Sequence, residues 1–304
     1  MRLPLIFFSA FLLAAAACGQ QQPPAPGPPN GVLQNTGAPI SVPLECGDEE
    51  IQSAGLACTA DSPCTVYLEL AAVEPVGAQL FVTGNLHTAS STLSSVLLAS
   101  DDSGKTWSEP HERIHLAILE QIQFLDFETG WVGGQLVRPL PRDQFLLLTS
   151  DGGKTWRQQP LFEESRIGAI EKFWFESRTE GSLWLDRTQS GEIDSRYERY
   201  ETMTGGESWS IREAGAKSIP VKGAAAAPRD TGWRVRAHAA SGSYRIEKRQ
   251  GKSWQTVAAF SIELGQCKPK EQILPEPVVE SPKLTEENPS GPATVPPKPP
   301  SRKR

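Results

Sequence analysis

The feature that most constrains the fold is an eight-residue motif, Ser/Thr-x-Asp-x-Gly-x-Thr-Trp, that recurs along the chain. Complete copies are Ser100–Trp107 and Thr149–Trp156. Two weaker copies, Thr202–Trp209 and Glu247–Trp254, keep the Gly and the Trp but not the Asp. The Trp residues that end the copies are 49, 53 and 45 residues apart. A period of about 40–50 residues with several short strands per unit is typical of β-propeller blades.

Each part of the motif has a physical role in a tight turn between two strands. The Asp carboxylate can accept hydrogen bonds from backbone amides of the turn, and the Gly adopts a positive φ without steric cost. Thr and Trp begin the next strand, where β-branched and aromatic side chains suit a half-buried pleat. We therefore assign a structural rather than a catalytic role to Asp102, Gly104, Trp107, Asp151, Gly153, Trp156, Gly206, Trp209, Gly251 and Trp254.

A second repeated element runs alongside the first. Trp131 and Trp184 each precede the final Trp of the next motif copy by 25 residues, and Trp233 does so by 21. Four repeats of about four short strands, with no long helical periodicity, predict an all-β fold. We expect a small β-propeller of four four-stranded antiparallel blades. A five-bladed ring is the alternative, if residues 31–66 and the last strand form a degenerate blade.

The motif copies resemble the BNR or Asp-box repeats of a family of β-propellers, over roughly residues 65–264. An Asp-x-x-x-Gly-Trp element upstream of a box, as in Asp126–Trp131, is similar to that of the photosystem II assembly factor-like propellers. This resemblance implies a non-enzymatic binding or assembly platform, with the boxes at the periphery of the propeller. Sialidases and sortilin-type receptors carry Asp boxes as well.

The N-terminal residues have the pattern of a secretion signal. Arg2 is followed by the apolar run Leu3–Ala17, which is short for a membrane span. The small residues before Cys18 resemble a bacterial lipobox, which implies cleavage before Cys18 and attachment of lipid to it. We therefore expect a membrane-anchored lipoprotein of the bacterial cell envelope, on its periplasmic or outer-membrane face. Ordinary secretion that leaves Cys18 as a free thiol is the alternative.

Composition divides the chain into a folded centre and its flanks. Residues 1–17 form the signal peptide, and residues 18–43 are rich in Gln, Pro and Gly, which predicts a flexible tether. Residues 44–267 hold the repeats and form the propeller domain. Residues 268–304 are rich in proline and charge, which predicts a disordered tail.

Four cysteines remain once Cys18 is lipidated, and an even number in an exported chain suggests two disulfides. Cys58 and Cys64 are close in sequence and favour a local loop. Cys46 and Cys267 flank the repeats, and our hypothesis is that they join the first and last segments of the ring. Zinc binding is the alternative, but the spacing lacks paired Cys-x-x-Cys motifs, so we predict no metal site.

The net charge of −6 disfavours a nucleic-acid-binding protein of the strongly basic type. The sequence holds no Gly-rich phosphate loop that precedes a helix. We therefore predict no cofactor, no nucleic-acid partner and a monomeric protein.

Arginines are the most suggestive candidates for a binding surface. Arg234 and Arg236 share one face of a predicted strand, Arg245 lies on the next strand, and Arg196 and Arg199 lie in the preceding blade. A planar guanidinium binds carboxylates in a bidentate manner and is favoured at recognition surfaces. We expect this patch to contact a protein client or an anionic envelope polymer. A solvated face on which the arginines pair with glutamates is the alternative.

Glycan binding or hydrolysis is the second class of function considered. Sialidases share the boxes and use a Tyr nucleophile, paired with Glu, beside an Arg cluster. Tyr197, Glu198, Tyr200 and Glu201 occur together here. However, the Arg-Ile-Pro element of many sialidases is absent, and the repeat region is short for six blades. We therefore predict a binding protein and assign no catalytic residue.

Overall fold

The computed structural model describes residues 31–227 and 229–270, and its regular structure is almost entirely strand. The strands of the first half are β1 (Leu33–Gln34), β2 (Cys64–Val76), β3 (Gln79–His87), β4 (Thr92–Ser100), β5 (Thr106–Trp107), β6 (Ala117–Phe124), β7 (Gly130–Val137), β8 (Pro141–Thr149) and β9 (Arg157–Pro160). Those of the second half are β10 (Ala169–Phe175), β11 (Gly181–Asp186), β12 (Tyr197–Thr202), β13 (Ser210–Gly215), β14 (Trp233–His238), β15 (Ser243–Gln250), β16 (Ser253–Ser261) and β17 (Glu263–Cys267). A single α-helix is described, α1 (Asp48–Ser53), together with short 3-10 turns at Thr188–Ser190, Gly223–Ala226 and Ala239–Ser241.

The strands form successive antiparallel sheets, which are the blades of a small β-propeller. Blade 1 has the order β17-β2-β3-β4, blade 2 is β6-β7-β8-β9 and blade 3 is β10-β11-β12-β13. Blade 4 has three strands, β14-β15-β16, and β1 pairs with β5 outside these sheets. The all-β fold with consecutive antiparallel blades is the one that the sequence predicts.

Neighbouring blades pack face to face, and their aromatic side chains fill the space between them. Strand β6 crosses blade 1, β10 crosses blade 2, and β2 packs against β14 of blade 4. Phe81 of blade 1 stacks on Phe124 of blade 2 at 4.8 Å between ring centroids, and Trp131 of blade 2 stacks on Phe175 of blade 3 at 3.8 Å. Close packing of this kind requires a glycine at Gly153, where a Cβ would lie 2.5 Å from the ring of Phe81.

The segment before the first blade packs against the propeller. Ile40 forms a parallel bridge with Phe260 at the edge of β16, so this segment takes the place of a fourth strand in blade 4. Ile40 and Val42 are only 5% and 1% exposed. Within the tether expected over residues 18–43, the described residues 33–42 instead pack against open strand edges, because a few apolar side chains suffice to bind them there. Residues 18–30 lie outside the described residues.

Two disulfides hold the ends of the domain. Cys46 bonds to Cys267 with 5.0 Å between their Cα atoms, and Cys58 bonds to Cys64 with 5.3 Å. Strand β17 pairs with β2 so that Cys267 lies opposite Cys64. The predicted pairing, including the bridge between the first and last segments, is confirmed.

No helix within residues 31–227 and 229–270 is long and apolar enough to cross a membrane. Cys18, with its predicted lipid, and the predicted tail from residue 271 onward lie outside the described residues.

Candidate functional site

The two complete motif copies form the same hydrogen-bonded turn. Asp102 accepts hydrogen bonds from the backbone N–H groups of Lys105 and Thr106, each at 2.9 Å, and from the Thr106 hydroxyl at 2.8 Å. Asp151 accepts from the N–H and the hydroxyl of Thr155 at 3.0 and 2.6 Å. The bond from the Thr106 amide is the main reason that the pKa of Asp102 falls to about 2. Both carboxylates are therefore engaged by their own turns.

The turn also fixes the Trp that follows it. The indole N–H groups of Trp107, Trp156 and Trp209 donate to the carbonyls of Gly104, Gly153 and Gly206, at 3.1, 3.0 and 3.2 Å respectively. In the third copy the hydroxyl of Thr204 accepts from the N–H of Ser208 at 3.0 Å, in the place of an Asp carboxylate. The third copy therefore keeps the geometry of the turn without the acid.

The fourth copy is built differently. Strands β15 and β16 stay paired up to Gln250 and Ser253, so Gly251 lies in a tight hairpin turn with φ of 60°. Trp254 lies under two guanidinium groups, those of Arg234 at 4.1 Å and Arg249 at 5.0 Å from the ring centroid. With Arg249 where the motif has Asp, no carboxylate is available to close the wider turn, and the Trp becomes a platform for cations.

Blade 4 presents one face that is rich in arginine. In the pairing of β14 with β15, Arg234 lies opposite Glu247 and Arg236 lies opposite Arg245, so these side chains share a face. Arg234 is bound to Glu247 at 2.7 Å through Nε and 2.6 Å through Nη2. Arg236 is exposed and Arg245 half-buried, and neither has a carboxylate within 4.0 Å among the described residues. The two guanidinium groups therefore carry positive charge that no carboxylate of the described residues compensates.

The two predicted arginines of blade 3 have other environments. Arg199 binds Glu201 at 2.6 Å and approaches Glu213 at 3.9 Å, and it lines a cavity of about 500 Å³ with Trp184. Arg196 is exposed and precedes β12. The structure therefore separates the five predicted arginines into the Arg236–Arg245 pair, the ion-paired Arg199 and Arg234, and the isolated Arg196.

A buried polar cluster in blade 3 contains Tyr200 and Glu198, two of the residues considered for glycan hydrolysis. The hydroxyl of Tyr200 donates to Glu198 at 2.6 Å, and both residues are 4% exposed. Arg187 binds the other oxygen of Glu198 at 2.7 Å, and Arg166 reaches Glu198 at 3.1 Å and also donates to the hydroxyl of Tyr200. Tyr197 and Glu201 alternate with this pair along β12 and lie on the opposite face.

The electrostatics of this cluster disfavour nucleophilic chemistry. Burial, followed by the hydrogen bond to Glu198, raises the pKa of Tyr200 above its ordinary value. A tyrosine nucleophile needs the opposite shift, because the phenolate is the reactive form. The cluster is best described as a buried ion network that joins blade 3 to the preceding segment.

On the arginine-rich face of blade 4, sequence reasoning missed the role of Trp254. The sequence contained one signal for it: the Asp position of the fourth motif copy is occupied by Arg249, and Arg234 lies on the neighbouring strand. Within the part of the chain that the structure describes, no group of three or more His, Cys, Asp or Glu side chains is arranged to hold a metal ion.

No family model and no curated protein matches the sequence. Among solved structures, the chain is similar to that of YCF48 bound to D1 peptide, with 17% identity over 66% of this chain and 56% of that one, at a TM-score of 0.33. It is also similar to a Penicillium chrysogenum α-L-arabinanase complexed with arabinobiose, with 13% identity over 75% of this chain and 66% of that one, at a TM-score of 0.36. The matched region thus spans less than two thirds of each of these structures.

Proposed function

We propose that this protein is a non-enzymatic binding platform of the bacterial envelope, anchored through lipid on Cys18, and that the arginine face of blade 4 holds an acidic segment of a client protein. The observation that carries the proposal is the Arg236–Arg245 pair. Like charges directly opposite each other on a sheet are destabilising. A face that keeps such a pair without a carboxylate partner is suited to bind a carboxylate group of another molecule.

The neighbouring groups support recognition of carboxylates. The guanidinium of Arg234 lies 4.1 Å from the ring centroid of Trp254, and Glu247 binds the same guanidinium at 2.6 Å. The charge of Arg234 is therefore already compensated within the blade. Arg236 and Arg245 are then the groups free to form bidentate contacts.

The proposal is tested by crosslinking in the native envelope followed by mass spectrometry. The variant Arg236→Glu/Arg245→Glu should lose its client, while Lys105→Glu/Lys217→Glu, which changes the net charge equally at exposed positions, should keep it. Recovery of the same crosslinked proteins with both variants would contradict the proposal. Loss of a bound anionic polymer instead of a protein would assign the face to that polymer.

A glycan-processing propeller is the second candidate, because Tyr200 and Glu198 do lie together with two arginines. Incubation of the pure protein with a fluorogenic sialoside separates the two functions. We expect no turnover, since Tyr200 is buried and its pKa is raised. Turnover that is lost in Tyr200→Phe but kept in Tyr197→Phe would favour the enzyme.

A further inference from the structure

In the part of the chain that the structure describes, three motif turns each have a groove beside their Trp. In the first, at Trp107, the groove is filled by the protein's own N-terminal segment. Strand β1 adds to the outer edge of β5 with Leu33 opposite Trp107 and Gln34 opposite Thr106. Trp107 is consequently only 1% exposed.

The filling segment uses a short set of contacts. Leu33 packs against the core cluster that contains Trp107. The N–H of Asn35 donates to the carbonyl of Lys105 at 2.9 Å, and its side-chain amide donates to the carbonyls of Gly104 and Val257, each at 2.8 Å. An extended segment with an apolar side chain, followed two residues later by a carboxamide, thus matches the edge of this turn.

The third groove, at Trp209, is crossed by the protein's own side chains. The motif residue equivalent to Lys105 there is Glu207. Its carbonyl accepts from the amide of Gln159 at 3.4 Å, and its carboxylate pairs with Arg157. The backbone acceptor that Asn35 uses in the first groove is therefore engaged in the third.

The second groove, at Trp156, is open. Thr155 is exposed and Trp156 is partly exposed, whereas the equivalent Thr106 is half-buried and Trp107 is fully buried. The carbonyl of Lys154, equivalent to that of Lys105, accepts no hydrogen bond from any described residue, and that of Gly153 accepts only from the indole of Trp156. The groove has a volume of about 970 Å³, and its lining includes Phe81, Trp156 and Ile114.

We propose that the Trp156 groove binds an extended segment of another protein by strand addition, in the way that β1 occupies the Trp107 groove. The segment would place an apolar side chain against Trp156. Its backbone would pair with the free edge of Thr155 and Trp156, and its residue two positions later would donate from N–H to the Lys154 carbonyl and from a carboxamide to the Gly153 carbonyl. Main-chain bonds supply affinity and the apolar pocket supplies selectivity in this mode of recognition. The site is separate from the arginine face of blade 4 and does not depend on it.

A synthetic peptide with the sequence of residues 31–37, labelled with a fluorophore, is the probe. Its anisotropy should show saturable binding to the full protein. Trp156→Leu should weaken this binding about tenfold, because it removes the indole but keeps an apolar core, and Trp209→Leu should not change it. Absence of saturable binding, or equal binding to both variants, would overturn the proposal.

A change in the probe keeps the test valid if Trp156→Leu does not fold. Methylation of the backbone nitrogen at the Asn35 position of the peptide removes the donor to the Lys154 carbonyl, and we expect about fivefold weaker binding to the unaltered protein. A photoreactive group at the Leu33 position should crosslink to residues 153–158. Crosslinks to residues 104–107 would show exchange with β1, and unchanged binding of the methylated peptide would exclude strand addition; either result overturns the proposal.

Discussion

The guanidinium of Arg229 lies 2.8 Å from the carboxylate of Glu74, which is 4% exposed on β2. Arg229 precedes β14 and its guanidinium lies 5.8 Å from the ring centroid of Trp174 in blade 3, while the backbone N–H of Phe124 in blade 2 donates to Glu74 at 3.3 Å. This one ion pair therefore joins the entry to blade 4 with the first three blades.

Arg229→Ala should destabilise the protein by about 2 kcal/mol at pH 7, because it leaves a buried carboxylate without its partner. Burial raises the pKa of Glu74, and Arg229 opposes that rise. A carboxyl group with a raised pKa favours the folded state below its unfolded pKa and loses that contribution as pH increases through its folded pKa. The defect should therefore be larger at pH 7 than at pH 4 in urea denaturation. Equal defects at both values, or no recovery in Arg229→Ala/Glu74→Gln, would refute this role.

Asp102→Ala should lower the free energy of unfolding by about 1–2 kcal/mol, because the turn loses the acceptor of several hydrogen bonds. The pKa of Asp102 is lowered, chiefly by the bond from the Thr106 amide. Its contribution is present above the unfolded pKa of about 3.9 and is lost as pH falls toward 2. The unaltered protein should consequently lose more stability between pH 4 and 2 than the variant does. Thermal unfolding monitored by circular dichroism measures this difference. An equal loss of stability between pH 4 and 2 in the two proteins would contradict the prediction.

The two disulfides should contribute unequally. In the chain-entropy model the Cys46–Cys267 bridge, with a sequence separation of 221, stabilises by about 5 kcal/mol, and the Cys58–Cys64 bridge, with a separation of 6, by about 2 kcal/mol. Double Cys→Ser variants of each pair, compared by guanidinium denaturation, test the ranking. A larger loss for the Cys58–Cys64 variant would show that strain or residual structure outweighs loop entropy.

The sequence was sufficient for the repeated sheets and for the turns at Asp102 and Asp151, because both depend on local chemistry at a fixed spacing. It was insufficient for the fourth motif copy, where the same Gly and Trp spacing closes an ordinary hairpin. The buried pair of Arg229 and Glu74 was also missed, since its partners are far apart in the chain and no local pattern marks them.

The arginine face could also be predicted from the sequence only in part. The sequence placed Arg234 and Arg236 on one strand face, which follows from a period of two. Which of them meets a glutamate depends on the register between β14 and β15, and that register sets Glu247 opposite Arg234 and Arg245 opposite Arg236.

Arg236→Gln should stabilise the isolated protein by about 0.5 kcal/mol, because it removes one of two like charges from directly opposite positions. Arg245→Glu should stabilise it slightly more, since it replaces repulsion with attraction. The effect should shrink in high salt, which screens exposed charges. Thermal unfolding at two salt concentrations checks this; a stability loss in Arg236→Gln would show that the guanidinium has a structural contact.

Asn35 connects the N-terminal segment to two blades, because its amide bonds the carbonyls of Gly104 in blade 1 and Val257 in blade 4. In Asn35→Ala the Gly104 carbonyl keeps its bond from the indole of Trp107, whereas the Val257 carbonyl loses its side-chain donor. We therefore expect Asn35→Ala to lower the free energy of unfolding by about 1–3 kcal/mol, because a hydrogen bond is lost and a carbonyl is left poorly satisfied. Gln34→Ala is the matched control, since Gln34 is exposed on the same short strand.

Hydrogen exchange separates a local from a global effect of this change. If the segment is an integral part of the ring, Asn35→Ala should speed exchange of the amides at Ile40 and Ser261, which bond across the segment and β16, before it affects the core of blade 2. Gln34→Ala should leave these rates unchanged. Uniform loss of protection throughout the protein would instead mean that the segment and the blades unfold as one cooperative unit.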